Sequence, residues 1–378
     1  LPICSFICHQ SDVYINGHHL GFRPYGFCSI EYDLTPYLDY DGENVIAVRV
    51  NRSGVKDVAR WYTGSGIYRH AWLQVTNPVH VATYGTYVTT PSVSEDKAEI
   101  RIMTTLENEL KKVQTVSISH LILDNQGKIV AKSGTEKTLF EAGQSIKITQ
   151  NLTLNYPRLW TLEKPELYTL ETTVKANGKV TDLYKTPFGI RTIAFDSEKG
   201  FLLNGKQVKL KGMCLHQDAG SLGTAVLDRS YERRLEIIKE YGCNAIRCSH
   251  NQPSPEFLDM CDRMGFVVID EAFDKWKSGY YEKYFDEWWQ RDLENMILRD
   301  RNHPSIILWS IGNEVTEAWE QGNEGIKRAE MLRDFVHKLE PSRPVTLAAQ
   351  NNHRGEFSAV ADVVGYNYLE ARLLTDRK

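Results

Sequence analysis

The stretch Asn244–Asp274, NAIRCSHNQPSPEFLDMCDRMGFVVIDEAFD, decides the fold. It reads as an apolar strand (Asn244–His250), an amphipathic helix (Pro255–Met264) and a second apolar strand (Phe266–Ala272). Apolar runs joined through a helix imply parallel strands with crossover helices. The same grammar holds from about residue 205 onward. Further strands are expected at Val208–Leu215, Ser305–Glu314, Pro344–Gln350 and Asp362–Tyr368, and further helices at Ser230–Tyr241, Phe285–Arg299 and Gly325–Leu339. Six such units favour a (β/α)8 TIM barrel over a small doubly wound sheet. No GxGxxG follows the first strand, so a dinucleotide fold has little support. A barrel of this kind takes about 250 residues, whereas Phe201–Lys378 supplies 178. The expectation is an incomplete barrel of about six of eight strands.

Upstream the pattern is different. Residues 12–76 alternate apolar and polar in short bursts, as in DVYING (Asp12–Gly17) and ENVIAVRV (Glu43–Val50), with Asn-Gly and Asp-Gly between them. That is antiparallel β grammar. Residues 77–191 continue it, with strands expected near Ala98–Leu106, Val113–Asp124, Ser145–Leu154 and Tyr168–Lys175, and hairpin turns at Asn125–Gly127 and Asn177–Lys179. About 100 residues of short strands suggest an immunoglobulin-like sandwich. The whole is a multidomain β plus α/β chain, divided at 1–76, 77–192 and 193–378.

Composition limits the function classes. The 378 residues are 42 % hydrophobic and 25 % charged, ordinary for a globular protein. Forty-five Lys plus Arg against 49 Asp plus Glu leave −4, which marks neither a nucleic-acid nor an anionic-membrane binder. No apolar run approaches the ~18 residues of a membrane span. The seven Cys are odd in number and scattered without CxxC pairs, which fits neither a disulfide framework nor a zinc site. Eight Trp, 19 Tyr and 13 Phe hint weakly at stacking on sugars. Leu1–Gln10 hold no basic n-region and are not read as a signal peptide.

In such a barrel the chemistry sits at the carboxyl ends of the strands. Those ends carry His216 with Asp218; Arg247 and His250; Asp270, Glu271 and Asp274; Asn313 and Glu314; and Tyr366, Asn367 and Tyr368. Glu314 in LWSIGNEV is the strongest candidate. Gly312 would allow a tight exit, and a carboxyl screened by Trp309 or other aromatics suits a general acid. The competing reading is a carboxylate that caps the following helix. His250 is either part of a site or a helix-cap neighbour. Asp270-Glu271 is either a sugar contact or a salt-bridged pair holding Arg247 or His250. His216-Gln217-Asp218 has the look of a metal pair but no third ligand in sequence reach. Arg301 and His303 in RDRNHP read as a structural joint. Trp276 is the best candidate for a sugar platform.

Three groups of motifs then carry a family resemblance. They are ARWYTGSGIYRHAWL (Ala59–Leu73), LWTLEKPELYTL (Leu159–Leu170) with FGIRTIAFDSEKGFLLNGKQVKLKGMCLHQDAG (Phe188–Gly220), and the strand ends of Asn244–Asp274 with RDRNHPSIILWSIGNEV (Arg299–Val315). Together they resemble glycoside hydrolase family 2, most closely its β-galactosidases, over residues 11–378. The resemblance implies a sugar-binding jelly roll, of which the first 76 residues would be a part. LPICSFICHQ does not resemble the strand expected before DVYING. It also implies a retaining glycosidase acting on terminal non-reducing β-D-galactose, with β-glucuronidase and β-mannosidase as alternatives, or an inactive sugar-binding fragment.

Carried over by position, Glu314 matches the acid/base and Asn313 the contact to the sugar 2-hydroxyl. His216 and His250 match histidines lining the subsite, and Asp270 and Glu271 match the acidic pair. Tyr368 matches the tyrosine near the nucleophile. The nucleophile itself is expected on a seventh strand absent from the chain, and Glu370 is not assigned that role. The partner implied is a carbohydrate, with neither nucleic acid nor membrane, and a homo-oligomer is allowed for. No organic cofactor is implied. Some family members bind magnesium near the acid/base, and no local pattern here demands it. The compartment, periplasmic or cytoplasmic, stays open.

Overall fold

Six parallel strands lie in chain order across one sheet: Gly212–Leu215, Ala245–Cys248, Val267–Glu271, Ile306–Asn313, Val345–Ala349 and Val363–Tyr366. The computed structural model describes residues 2–5, 7–53, 61, 64–319, 323–349 and 355–368. Sequential parallel order with a helix after each of the first four strands makes this an incomplete TIM barrel. The fourth strand is buried at every position, as a strand covered on both faces must be. The helix Pro255–Met264 shows why the sequence folds here. Ser254 Oγ accepts from the Phe257 N–H, Pro255 opens the first turn, and Gly265 closes it at φ 69°. Phe257, Leu258 and Cys261 form its buried stripe.

The first barrel strand is shorter than VKLKGMCL suggests. Val208 lies outside it, and the Lys206–Gln207 segment pairs back on Gly200–Leu203. Met213, at 43 % exposed, marks the sheet's edge.

The sandwich is present as two antiparallel sheets. One runs Ser145–Asn155, Lys97–Asn108, Val79–Val93; the other runs Ile129–Lys132, Gln114–Leu123, Tyr168–Ala176, Lys179–Phe188, with Glu136–Phe140 also on Gln114–Leu123. Asn177 and Gly178, at φ 49° and 84°, make the two-residue turn that the sequence announces. Ahead of it, the chain up to Leu73 forms small antiparallel sheets. Within LPICSFICHQ, which looked foreign to that pattern, two described stretches are paired strands. Pro2–Ser5 lies between Ser29–Glu31 and Ala71–Leu73, and Ile7–Cys8 pairs with Gly66–Ile67. Glu370, residues 54–60 and residues 62–63 of the Ala59–Leu73 signature lie outside the described residues.

Both β regions fasten onto the barrel, by different means. The amino-terminal strands share its apolar core: Ile7, Val13, Tyr25 and Phe27 pack in one cluster with Phe257, Phe273 and Tyr281. Tyr25 also donates its hydroxyl to the Ala272 carbonyl at 2.7 Å. The sandwich is held largely through main-chain carbonyls. Trp160 Nε1 donates to Asp262 O at 2.9 Å, and Lys239 Nζ donates to the carbonyls of Leu162, Met264 and Gly265. RDRNHP joins the helix Phe285–Asp300 to the strand Ile306–Asn313, as expected, and it also holds the sandwich. Arg301 donates to Tyr84 O, Asn302 spans Val88 N and Thr86 O, and His303 Nδ1 lies 2.6 Å from Asp262 Oδ2.

Two tests follow from these seams. A Cβ on Gly265 would stand 2.3 Å from the Leu162 carbonyl, at a φ that L side chains avoid. Gly265→Ala is therefore expected to cost at least about 2 kcal/mol in urea unfolding, whereas Gly134→Ala, with open space around it, costs little. His303 is the second. Burial pulls its pKa down, but the Asp262 charge and hydrogen bond prevail and lift it from 6.5 to about 9. Stability from a raised pKa is present below the unfolded value and lost as pH rises through the folded one. His303→Gln should thus lose up to about 3 kcal/mol at pH 6 and far less at pH 10. An equal loss at both would show that the ion pair contributes nothing.

Candidate active site

At the carboxyl end of the third strand, Glu271 is completely buried. Its Oε1 is 2.7 Å from His250 Nδ1. Its Oε2 accepts from Arg247 Nη2 at 2.8 Å, Arg247 Nε at 3.2 Å and Ser310 Oγ at 2.8 Å. Burial pushes its pKa up, but the Arg247 charge and the His250 contact outweigh that and hold the carboxyl below its usual range. Arg247 Nη2 reaches on to Asn313 Oδ1 at 2.9 Å. The network therefore ties the second, third and fourth strands together at one height.

Asn313 and Glu314 stand at the end of the fourth strand. Asn313 is buried, and its Nδ2 donates to Asp274 Oδ1 at 2.8 Å. Lys275 Nζ closes the ring on Asp274 Oδ1 and the Asn313 carbonyl. Glu314 turns out of the strand at φ 46°, with its N–H bonded to Ala348 O at 2.9 Å. Asn367, after the sixth strand, donates from Nδ2 to both Asn313 Oδ1 (3.0 Å) and Glu314 Oε1 (2.9 Å). The left-handed residue at this exit is Glu314, not Gly312. Gly312 serves close approach instead: a Cβ there would lie 2.8 Å from Trp276 Nε1.

His216 follows the first strand, and its Nδ1–H donates to the Ser249 carbonyl at 2.8 Å, which sets the ring's tautomer. Its ring stacks on Trp61, with centroids 4.6 Å apart at 21°, and meets His250 edge-on at 5.6 Å. Trp61 comes from the amino-terminal region. His9, Tyr25 and Phe27 from the same region line a recess with Trp61, His250 and Asp274. Tyr368 stands beside Asn367 at φ 59° and is 66 % exposed.

Three sequence-based assignments need correction. Trp276 has no exposed surface and gives its indole N–H to Ile311 O at 2.7 Å, so it supports the fourth strand and offers no face to a sugar. Asp270 is fully buried on the other side of the third strand from Glu271, where burial and the Asp300 charge push its carboxyl up. Trp309 likewise faces away, bonded to Glu340 at 2.8 Å, and does not screen Glu314. Trp61 was missed as a mouth residue because nothing local in the sequence links it to His216.

Among the described residues, three groups of His, Asp and Glu are close enough to share an ion, and none includes a residue of this mouth. One of them, Asp259 with Asp262 and His303, is already held by the protonated His303.

A parallel half-barrel with carboxylate, imidazole, amide and phenol groups at one end of its strands has the layout of a (β/α)8 enzyme. The comparisons with known proteins identify which. The family model for the TIM-barrel domain of glycosyl hydrolases family 2 matches residues 195–374, and a second family 2 model matches 79–191. A β-galactosidase of Bacteroides ovatus is 47 % identical, over 95 % of this chain and 46 % of its own length. A putative β-glucuronidase of Formosa agariphila is 42 % identical, over 90 % of this chain and 32 % of its own. The crystal structure of a family 2 member from Bacteroides cellulosilyticus superposes with a TM-score of 0.94 at 41 % identity, covering 99 % of this chain and 51 % of that one. The chain belongs to glycosyl hydrolases family 2. It spans between about a third and a half of the curated relatives' length.

Glu271→Gln keeps the shape and removes the charge, leaving the partly buried Arg247 without its counter-ion. The expected loss is on the order of 3 kcal/mol at pH 7. Because the folded pKa is depressed, this contribution exists above the unfolded value and vanishes as pH falls through the folded one. The gap between wild type and variant in urea unfolding should therefore narrow as pH falls below the ordinary carboxylate range. A gap that stays constant with pH would contradict the assignment.

Proposed function

We propose that these residues belong to a retaining exo-β-galactosidase, with Glu314 as the acid/base. The observation that carries the reading is Glu314 itself: an 8 % exposed carboxyl at a strand's carboxyl end, oriented by Asn367. In the retaining mechanism one carboxylic acid protonates the leaving oxygen, and a second carboxylate about 5–5.5 Å away forms the glycosyl-enzyme ester. By the family resemblance the second carboxylate would lie on a seventh strand, beyond Tyr368. Asn313, His216, His250 and Tyr368 would surround the sugar, with Trp61 in the place first given to Trp276. The Trp61 indole N–H has no acceptor among the described residues and suits a sugar hydroxyl. Glu271 would act through its neighbours, fixing Arg247 and His250.

The preference for galactose over glucuronate rests on charge. A glucuronide brings a carboxylate, which calls for an available cation. The cations Arg247 and Lys275 at the mouth are each paired, with Glu271 and with Asp274. That favours a neutral sugar. The β-galactosidase name of the Bacteroides ovatus relative agrees with this, and the glucuronidase name of the Formosa relative supplies the competing substrate.

The test uses the full-length protein and its Glu314→Gln variant on phenyl and 2,4-dinitrophenyl β-galactosides, with the matching glucuronides alongside. Glycosylation from the phenyl galactoside should fall by about 10²- to 10⁴-fold, and much less from the dinitrophenyl substrate, whose leaving group needs little protonation. Equal loss on both would refute the acid role. Faster turnover of glucuronides would refute the sugar assignment alone.

A further inference from the structure

A second site lies at the opposite end of the barrel strands. It is a cleft between the sandwich strands Val79–Val93 and Lys97–Asn108 and the turns that enter the fourth and fifth barrel strands. Five of its lining residues are basic, Arg101, Arg191, Arg301, Lys338 and Arg343, and none is acidic among those described. The eight residues of the fourth strand separate it from Glu314, roughly 25 Å at a strand's rise.

The floor carries more positive charge than it answers. Arg191 donates from Nε to Pro304 O at 2.5 Å and from Nη2 to Ile306 O at 2.7 Å. Arg343 Nε donates to the same Ile306 carbonyl at 2.8 Å. Two guanidinium groups thus converge on one neutral oxygen. Arg301 lies over the Tyr87 ring, 4.6 Å from its centroid, and is 6 % exposed, yet its Nε has no hydrogen-bond partner among the described residues. The carboxylates near them are already engaged: Glu340 by Tyr87 Oη at 2.6 Å, Trp309 Nε1 at 2.8 Å, Ser342 N at 3.0 Å and Arg343 at 3.3 Å, and Asp262 by His303 at 2.6 Å.

We propose that this cleft binds an oxyanion, a phosphate, sulfate or carboxylate group, with Arg191 and Arg301 at its floor and Arg101 and Lys338 at its rim. A carboxylate- or phosphate-shaped fork is what guanidinium groups recognise best, and an unmet buried Nε–H is the costly feature that such a ligand removes. Electrostatics agree with the geometry. Burial and the neighbouring Arg343 charge pull the Arg191 pKa down to about 9, and burial pulls that of Arg301 down to about 10. Groups strained in this direction gain from a bound anion. The anion is either free or carried on a sugar, and the site's chemistry is the same for both.

The experiment is calorimetric titration at constant ionic strength with inorganic phosphate, galactose 6-sulfate and galactose. Wild type is compared with the exposed rim variant Arg101→Gln/Lys338→Gln and with Arg301→Gln. Saturable phosphate binding is expected, weakened at least about fivefold in the rim variant, where folding is not at stake. Galactose 6-sulfate binding that weakens in parallel identifies a carried group; phosphate binding alone identifies a free ion. Either supports the site. Absence of saturable phosphate binding up to about 10 mM, or phosphate binding that neither variant changes, overturns it.

Discussion

The fully buried carboxylate of Glu271 is the constraint around which the mouth is arranged. Removing a carboxylate from water costs several kcal/mol, and that cost is offset only when charge and hydrogen bonds meet both oxygens. Here a guanidinium from the second strand, an imidazole two residues past it and a hydroxyl from the fourth strand do so. Each of those donors is thereby fixed. Arg247 has a second amine bond left for Asn313, so the position of the residue next to Glu314 follows from the charge on Glu271. His250 is held by its Nδ1, and its ring then packs edge-on to His216. A local substitution on any of the three strands propagates to the others through this one group.

How much of this could be read from the sequence depends on how local each signal is. The alternation of apolar runs with helices is local, so the half-barrel and its strand ends were legible, down to Glu314 and Asn313. The Asn177-Gly178 turn was legible for the same reason. The strand Val79–Val93 was not. Its burial does not alternate, because bulges between Lys97–Asn108 and this strand break the period. Asp270 and Glu271 were adjacent acids with opposite fates. Strand geometry says that they face opposite sides, but only the packed sheet says which side is the mouth. The exchange of Trp276 for Trp61 has the same cause. A Trp in a βα loop looks like a platform, and its burial against Gly312 depends on a strand some 35 residues away.

The two ends of the barrel strands answer positive charge differently. At the mouth, Arg247 and Lys275 meet carboxylates, Glu271 and Asp274. At the foot, Arg191 and most of Arg343 meet main-chain carbonyls. Carbonyl oxygens satisfy the donors and leave the charge. That choice suits a seam, because a carbonyl is available wherever the chain passes and fixes the sandwich to the barrel's backbone. Its by-product is a positive field at the foot that the mouth lacks.

The exit of the fourth strand shows how these constraints meet at one residue. A non-glycine residue at φ 46° stores backbone strain of order 1 kcal/mol, and such strain persists only where neighbours over-determine it. Glu314 has those neighbours. Its N–H is bound to Ala348 on the fifth strand, its carboxyl to Asn367 after the sixth, and the residue before it to Arg247 and Asp274. Trp276 packs against Gly312, two residues before Glu314, and donates to the Ile311 carbonyl. The left-handed backbone and the Asn367 bond together fix where the Glu314 carboxyl stands, and the buried Trp276, of no use as a sugar platform, packs against the strand just before that exit.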